Sequence, residues 1–225
     1  MHRFTFSGKI TVIFILILLA GCQKQLSFSF LDLNSCAPPC WNGVELGTTT
    51  EGEFITILES LQYIDQNKIK KDGGPWSIFE NRIIFRSNDN TFLGYAFVQN
   101  GRIVAFEFSG ELSTTFSQMV DETGEPEYVI VNPVMDYSVV TAINTYFGVS
   151  YSFATKDIST KYRGQLLPDI LIETILYFDP NIYNLMLDAG LFSQGHLGRE
   201  DTLKYMHPWD GYGLIEEKYP TASRD

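Results

Sequence analysis

One order of elements, a short amphipathic helix followed by several strands, occurs twice in this chain and limits the folds that it can adopt. Thr50 is followed three residues later by Glu53, and Thr115 in the same way by Gln118. This spacing is typical of a capping box, in which the two side chains satisfy free backbone amides at a helix start. Apolar residues follow each box at helical spacing, so the sequence predicts two helices, each with one apolar face.

Strand signals follow each predicted helix. Alternating or β-branched apolar residues mark seven segments, at about residues 82–87, 91–99, 102–109, 127–132, 139–147, 149–154 and 170–178. The step Asn100-Gly101 is a strong hairpin signal, because both central residues of a type I′ turn need a positive φ. A helix followed by an antiparallel meander, twice, predicts an α+β fold with the helices on one sheet face.

These patterns divide the body of the chain into two units and a tail. Residues 41–110 form the first predicted α+β unit, and residues 111–190 form the second. Gly190 is the predicted end of a last short helix. Residues 191–225 have no clear period, and we expect the aromatic residues of this C-terminal tail, around Trp209, to pack on the body.

The N-terminus has the three-part layout of a secretory signal. Arg3 and Lys9 precede an eleven-residue run that is apolar apart from Thr11. A helix of this length spans about 16 Å at about 1.5 Å per residue, too short for a permanent crossing of the bilayer. The sequence therefore predicts a signal peptide over residues 1–21, which is cleaved before Cys22.

The last four residues of this pattern, Leu19-Ala20-Gly21-Cys22, resemble the lipobox of bacterial lipoproteins and match it at every position. The resemblance implies cleavage between Gly21 and Cys22 and a diacylglyceryl group on the Cys22 thiol. Stable anchoring takes more than one acyl chain, at about 0.8 kcal/mol per buried methylene. The expected partner is thus the lipid bilayer, on the extracytoplasmic face of a bacterial cell membrane or outer membrane, with residues 22–40 as anchor and tether. An ordinary signal peptide with Cys22 near the cut is the alternative.

The other two cysteines, Cys36 and Cys40, enclose Ala37-Pro38-Pro39. Disulfides persist outside the cytoplasm, and paired prolines force a tight turn that can bring two sulfurs together. We therefore predict a Cys36–Cys40 disulfide, which acts locally because a small closed loop gains little entropy. A free thiol pair and a metal site are the alternatives, although no further ligands lie nearby at metal-binding spacing.

Charge argues against one class of partner. The chain has 16 basic and 27 acidic residues and a formal net charge of −11. Loss of the signal removes Arg3 and Lys9 and no acid, so the body is two units more negative. Such a body is repelled by nucleic acid, and we predict no nucleic-acid partner. The basic stretch at residues 68–71 is interpreted as a solvated loop.

Two short motifs of the body resemble those of known envelope domains. Gly47-Thr48-Thr49 precedes the first predicted helix, and Gly124-Glu125-Pro126 ends the second. These turns are similar to those of small outer-membrane lipoproteins of the BamE/SmpA type. The tandem helix-then-meander order resembles β-lactamase-inhibitor-protein-like domains. The resemblance covers about residues 41–178 and implies a sheet face that holds a protein partner, with no catalytic residue.

Histidine and acidic residues near the C-terminus form the one candidate metal cluster in the sequence. His196, Glu200, Asp201 and His207 could crowd a divalent cation. The two histidines are not at the i, i+4 spacing that places two imidazoles on one helix face. The polar, glycine-bounded segment is better interpreted as a solvated loop, so we predict no metal site and no cofactor.

Carboxylates are numerous, and two pairs are candidates for glycoside hydrolysis: Glu107 with Glu111, and Glu122 with Glu125. Such chemistry needs two acids that converge on one bond, which the sequence does not fix. Glu107 lies within an apolar run, and its alternation places it on the solvent face of its strand. We predict no catalytic residue.

Four aromatic residues of the first unit have two interpretations. Tyr95, Phe97, Phe106 and Phe108 either belong to the core, which we favour, or form an exposed ligand surface. Taken together, the sequence predicts a membrane-anchored, non-catalytic binding or interaction module of the cell envelope with a protein partner. The alternative is a small envelope hydrolase that acts on glycan or peptide with a carboxylate pair.

Overall fold

A computed structural model describes most of the body of the protein. The described residues are 36, 39–73, 78–134, 137–154, 164–193 and 198–220. They form an α+β fold with a large antiparallel sheet and few helices, which confirms the predicted class.

Eleven strands lie within the described residues. Their bounds are β1 Lys70–Asp72, β2 Asn81–Arg86, β3 Phe92–Gln99, β4 Arg102–Gly110, β5 Tyr128–Val134, β6 Tyr137–Asn144, β7 Val149–Ala154, β8 Gln165–Leu166, β9 Thr174–Phe178, β10 Met206–Pro208 and β11 Gly213–Leu214. Nine form one antiparallel sheet in the order β1-β2-β3-β4-β9-β7-β6-β5-β10, whereas β8 pairs with β11. Strands β4 and β9 meet in the middle of the large sheet. They join a first half, formed by β1–β4, to a second half, formed by β9, β7, β6, β5 and β10.

Five α-helices accompany these strands in the same part of the chain. They are α1 Glu51–Ser60, α2 Phe116–Thr123, α3 Tyr183–Asp188, α4 Arg199–Lys204 and α5 Ile215–Lys218. Short 3-10 turns lie at Gln66–Lys68, Pro180–Ile182 and Leu191–Ser193. Among the described residues, no helix combines the length and the apolarity that a bilayer crossing requires.

Both predicted capping boxes are confirmed. The Thr50 hydroxyl accepts from the Glu53 backbone N–H at 3.3 Å, and the Glu53 carboxylate accepts from the Thr50 N–H at 2.8 Å. Thr115 and Gln118 make the same reciprocal pair at the start of α2. Each cap satisfies amides that have no partner within the helix, which explains why these short helices begin at these residues.

The first face of the sheet carries the larger of two hydrophobic clusters. Trp41 is fully buried there, with its ring centroid 4.9 Å from that of Phe108 and 5.8 Å from that of Phe85. Phe54 of α1 and Phe116 of α2 belong to the same cluster. Burial of one large apolar side chain contributes about 1.5–3 kcal/mol, so this aromatic packing holds both helices on the sheet.

The second face carries a separate cluster, because successive side chains of a strand point to opposite faces. Leu176 and Phe178 of β9 belong to it, whereas their neighbours in β9 point to the first face. Met186 and Leu187 of α3 and Phe192 pack on this second face. The prediction that the helices lie on one face is therefore not confirmed, since α3 packs on the face opposite α1 and α2.

Most predicted strands lie within a few residues of the observed ones, but short edge strands were not predicted. Residues 70–72, interpreted as part of a solvated loop, form β1 and pair with β2, with Lys70 opposite Ile84. Strand β10 pairs with β5 at the other edge. The predicted strand at residues 170–178 is confirmed only from Thr174 onward. Charged, short edge strands have no apolar alternation that sequence reasoning can detect.

Aromatic residues of the C-terminal segment pack on the body in the part that the structure describes. The Trp209 ring stacks on Phe116 of α2 with centroids 5.9 Å apart, and Tyr212 contacts the same phenyl ring edge-on. The Tyr219 hydroxyl donates to the Gly211 carbonyl oxygen at 2.8 Å and closes this segment on itself. The tail thus extends the first-face cluster beyond α2.

Candidate functional site

The register of the first half aligns chemically distinct side chains across the second face. In one row Tyr95 of β3 lies opposite Glu107 of β4, which lies opposite Leu176 of β9. In the next row Ser109 is paired with Thr174. Directly opposed residues in antiparallel strands point to the same face, so each row forms a continuous strip.

These strips line a cavity of about 830 Å³, within the range of ordinary ligand sites. Its walls combine apolar, hydroxyl, acidic and basic groups from four neighbouring strands, β2, β3, β4 and β9, and the segments beside them. The lining residues are Arg82, Leu93, Tyr95, Phe97, Glu107, Ser109, Gly110, Glu111, Glu173, Thr174 and Leu191.

Glu107 lies between Tyr95 and Leu176 in the sheet and is half-buried. The Ser109 hydroxyl donates to its Oε1 at 3.0 Å. Burial raises the pKa of the Glu107 carboxyl above its ordinary value, because a charged carboxylate loses its hydration there. The Ser109 hydrogen bond and the positive charge of Arg82 oppose this rise but do not cancel it.

Arg82 is the cation of the cavity, and it is already paired. Its Nη2 lies 2.6 Å from Oδ2 of Asp72, and its guanidinium carbon lies 5.1 Å from the centroid of the Tyr95 ring. The ion pair offsets its charge, and the ring face adds a cation–π contact. Asp72 of β1 and Tyr95 of β3 thus both contact Arg82 of β2, and the positive charge of Arg82 is offset within this group.

Two further carboxylates complete the lining. Glu111 is exposed just beyond the end of β4, and Glu173 precedes β9. The backbone N–H of Ala154 donates to Oε1 of Glu173 at 3.3 Å. Since Asp72 offsets Arg82, Glu107 and Glu111 give the described lining of the cavity an excess of negative charge.

The structure separates the two carboxylate pairs that the sequence offered. Glu107 and Glu111 line one cavity. Glu122, near the end of α2, and Glu125, in the turn after it, are exposed and do not line this cavity. Sequence reasoning missed Glu173, which joins the cavity only because β9 pairs with β4 from far along the chain.

The four aromatic residues also divide between the two faces. Phe106 and Phe108 are fully buried in the first-face cluster, whereas Phe97 and the half-buried Tyr95 line the cavity. The core interpretation is thus correct for three of them, Phe97, Phe106 and Phe108, whereas Tyr95 is only half-buried. Phe97 is 3% exposed and packs on Phe79 at 5.1 Å, so it is both a wall of the cavity and part of the second-face cluster.

The candidate metal cluster is dispersed where the structure describes it. Glu200 and Asp201 are exposed on α4, and Asp201 pairs with Lys204 at 2.8 Å. His207 lies on β10, and burial lowers the pKa of its imidazole. His196 lies outside the described residues. Among the described residues, no three His, Cys, Asp or Glu side chains could hold a metal together.

The predicted lipid and signal residues, Gly21 and Cys22, lie outside the described residues, as do residues 1–35 in general. The sulfur atoms of Cys36 and Cys40 lie at bonding distance, with Cα atoms 5.7 Å apart. Trp41 follows directly and is fully buried, so this segment leads into the first-face core.

Comparison with known proteins identifies no relative of this chain. No protein-family model, no curated protein and no solved structure matches it. The chemistry of the cavity, together with the sequence pattern, is therefore the basis for a functional proposal.

Proposed function

We propose that this protein is a membrane-anchored, extracytoplasmic lipoprotein that acts as a non-catalytic binding module of the cell envelope. The observation that carries the proposal is the cavity on the second face, where aromatic, hydroxyl and charged side chains converge on an open surface. Binding sites combine apolar walls with a few placed polar groups in this way.

Two related units give this module its shape in our proposal. The meander β2–β4 follows α1, and the meander β5–β7 with β9 follows α2. The last strands of the two meanders, β4 and β9, pair with each other. This arrangement supports two tandem units that share one sheet and place the cavity beside their junction.

A cross-linking experiment tests the binding function. A photoreactive phenylalanine derivative replaces Tyr95 in the cavity, and in a matched control it replaces Tyr146, which is 80% exposed in the turn between β6 and β7. Irradiation of intact cells that produce the acylated protein should give a specific adduct from position 95 only. Adducts of equal yield and mass from both positions, or none from position 95, would contradict a binding role for the cavity.

The anchor is tested separately. Acylation of Cys22 predicts that the wild-type protein partitions with membranes and carries the mass of a diacylglyceryl group at its new N-terminus. Cys22→Ala should remain in the soluble fraction or keep its leader, whereas Cys36→Ala should partition as the wild type does. An unmodified N-terminus on the wild-type protein would refute the anchor.

The Cys36–Cys40 pairing has an equally direct test. Alkylation of the unfolded protein without reductant should label neither Cys36 nor Cys40, and alkylation after reduction should label both. Mass spectrometry distinguishes the two products. Labelling of both thiols without reduction would show a free thiol pair instead.

A small envelope hydrolase is the second candidate. The shared cavity of Glu107, Glu111 and Glu173 favours it, since glycosidases use one acid of raised pKa beside a second carboxylate. Turnover of a glycan or peptide substrate by the wild type, reduced at least about a hundredfold in Glu107→Gln, would establish this activity. The binding function predicts no turnover by either protein.

A further inference from the structure

We propose that the cavity receives a cationic side chain, a lysine ammonium or an arginine guanidinium, which a basic segment of a protein partner presents. The inference deepens the proposed binding function and rests on it. Charge, ring geometry and the shape of the walls each support this ligand class.

The charge of the cavity favours a cation. Glu107 and Glu111 share its lining, and Arg82, the cation among its described lining residues, is offset by Asp72 at 2.6 Å. An entering ammonium gains attraction from both carboxylates, and the low dielectric of a half-buried site strengthens that attraction. The same two carboxylates would repel an anionic ligand.

The aromatic lining suits a cation as well. The Arg82 guanidinium lies 5.1 Å from the centroid of Tyr95, so an entering cation would share this ring with Arg82. Phe97 adds a second ring to the same wall. Carboxylates beside aromatic rings form the combination that recognises ammonium groups, because the rings attract the cation and tolerate its desolvation.

The remaining walls fit the aliphatic stem of such a side chain. Leu93 and Leu191 contribute apolar surface to the cavity. Lysine and arginine bury their methylene stems against apolar surface while the charged head reaches polar groups. A stem on the two leucines leaves its charged head free to reach the carboxylates that line the same cavity.

The net charge of the whole protein supports the same partner. The formal charge of −11 for the chain gives a negative field that steers basic segments toward the surface and repels acidic ones. Because this attraction is long-range, association with a basic partner should slow as the salt concentration rises.

Calorimetric titration of the full-length protein in detergent micelles tests the proposal. The probes are a peptide of alternating lysine and glycine, the same peptide with every lysine Nε-acetylated, and a chito-oligosaccharide. We expect the lysine peptide to bind at least about tenfold more tightly than the acetylated one, a difference of about 1.4 kcal/mol. The saccharide should not compete.

A charge-matched pair of double variants locates the effect. Glu107→Gln with Glu111→Gln removes two carboxylates from the cavity, and Glu122→Gln with Glu125→Gln removes two exposed ones elsewhere. The cavity variant should lose at least about tenfold in affinity, while the control should lose at most about twofold. Thermal unfolding of both variants verifies that they remain folded.

Three outcomes would overturn the inference. They are equal binding of the acetylated peptide, an equal loss in both double variants, and binding of the saccharide alone. If Tyr95 cross-links a partner whose capture does not depend on the cavity carboxylates, the binding function stands and only the cationic ligand class fails. If neither cross-linking nor peptide binding occurs, the binding function fails as well.

Discussion

The two halves of the sheet present the same second face in opposite ways. Over the second half, α3 and the turn at Leu191–Ser193 cover the strands, and Asn132 of β5 donates to the Ser193 carbonyl oxygen at 3.4 Å. Over the first half, the described residues leave the same face open where it lines the cavity. We refer to these regions as the covered half and the open half.

Side-chain size and charge account for this difference. The covered half has small buried side chains, such as Thr141 and Ser150, over which a helical segment can pack closely. The open half has Tyr95, Arg82 and Glu107 in the corresponding rows. Covering these groups would remove charges from water at a cost of several kcal/mol, so the face stays accessible to a partner.

The largest effect should come from the packing of the covered half. Phe192 is 1% exposed, with ring centroids 5.2 Å from Phe178 and 5.4 Å from Tyr183. Phe192→Ala should lower the free energy of unfolding by about 3–5 kcal/mol, because it leaves a cavity beneath α3. Tyr95→Ala in the open half should lower it by only about 1 kcal/mol. Urea unfolding of both variants measures the difference, and equal losses would show that the open half is as tightly packed as the covered one.

A smaller loss of stability is expected from a substitution on the first face of the open half, at Gly94. A Cβ atom at Gly94 of β3 would overlap the ring of Phe85, which packs against Trp41. Gly94→Ala should therefore lower the free energy of unfolding by about 1–3 kcal/mol, since the ring must move within a packed core. Gly52→Ala is the matched control, because nothing lies within 4 Å of the added methyl group. The control should be neutral or raise stability by up to about 1 kcal/mol, and equal losses in both would contradict this account of the first face.

The parts of the fold that the sequence predicted are those with local causes. The capping boxes at Thr50 and Thr115 depend on contacts three residues apart, and the Asn100-Gly101 turn depends on backbone conformation at two positions, with φ of 52° and 70°. The pairing of β4 with β9 has no such local cause. It joins segments about seventy residues apart, and it decides that Glu173 enters the cavity.

The candidate site shows the same limit at the level of single residues. Alternation in β4 separates Phe106 and Phe108 from Glu107, so the sequence alone places Glu107 on the opposite face. A register shift between Phe97 and Val98, however, interrupts the pairing of β3 with β4, and no local sequence pattern predicts this shift. Which face the helices leave open is likewise a tertiary property, and it decides whether an aromatic residue is core or ligand surface.

The smallest expected effect on stability comes from the charge of Glu107 in the open half. The pKa of Glu107 is raised by burial in the folded state, so the folded protein binds this proton more tightly than the unfolded chain does. The resulting stabilisation is present at low pH and is lost as pH rises through the folded-state pKa. Glu107→Gln keeps an acceptor for the Ser109 hydroxyl and has no charge to lose. The variant should match the wild type in acid and exceed its stability at neutral pH.

The pH dependence of the difference in stability between Glu107→Gln and the wild type distinguishes a charge effect from a packing effect. Glu122→Gln removes an exposed carboxylate and should change stability by less than about 0.5 kcal/mol, with no gap that widens as pH rises. A difference between Glu107→Gln and the wild type that is constant from acid to neutral pH would mean that the amide merely packs better. A difference that grows with rising pH would mean that the open half keeps a carboxylate at the expense of stability, as a surface that binds cations requires.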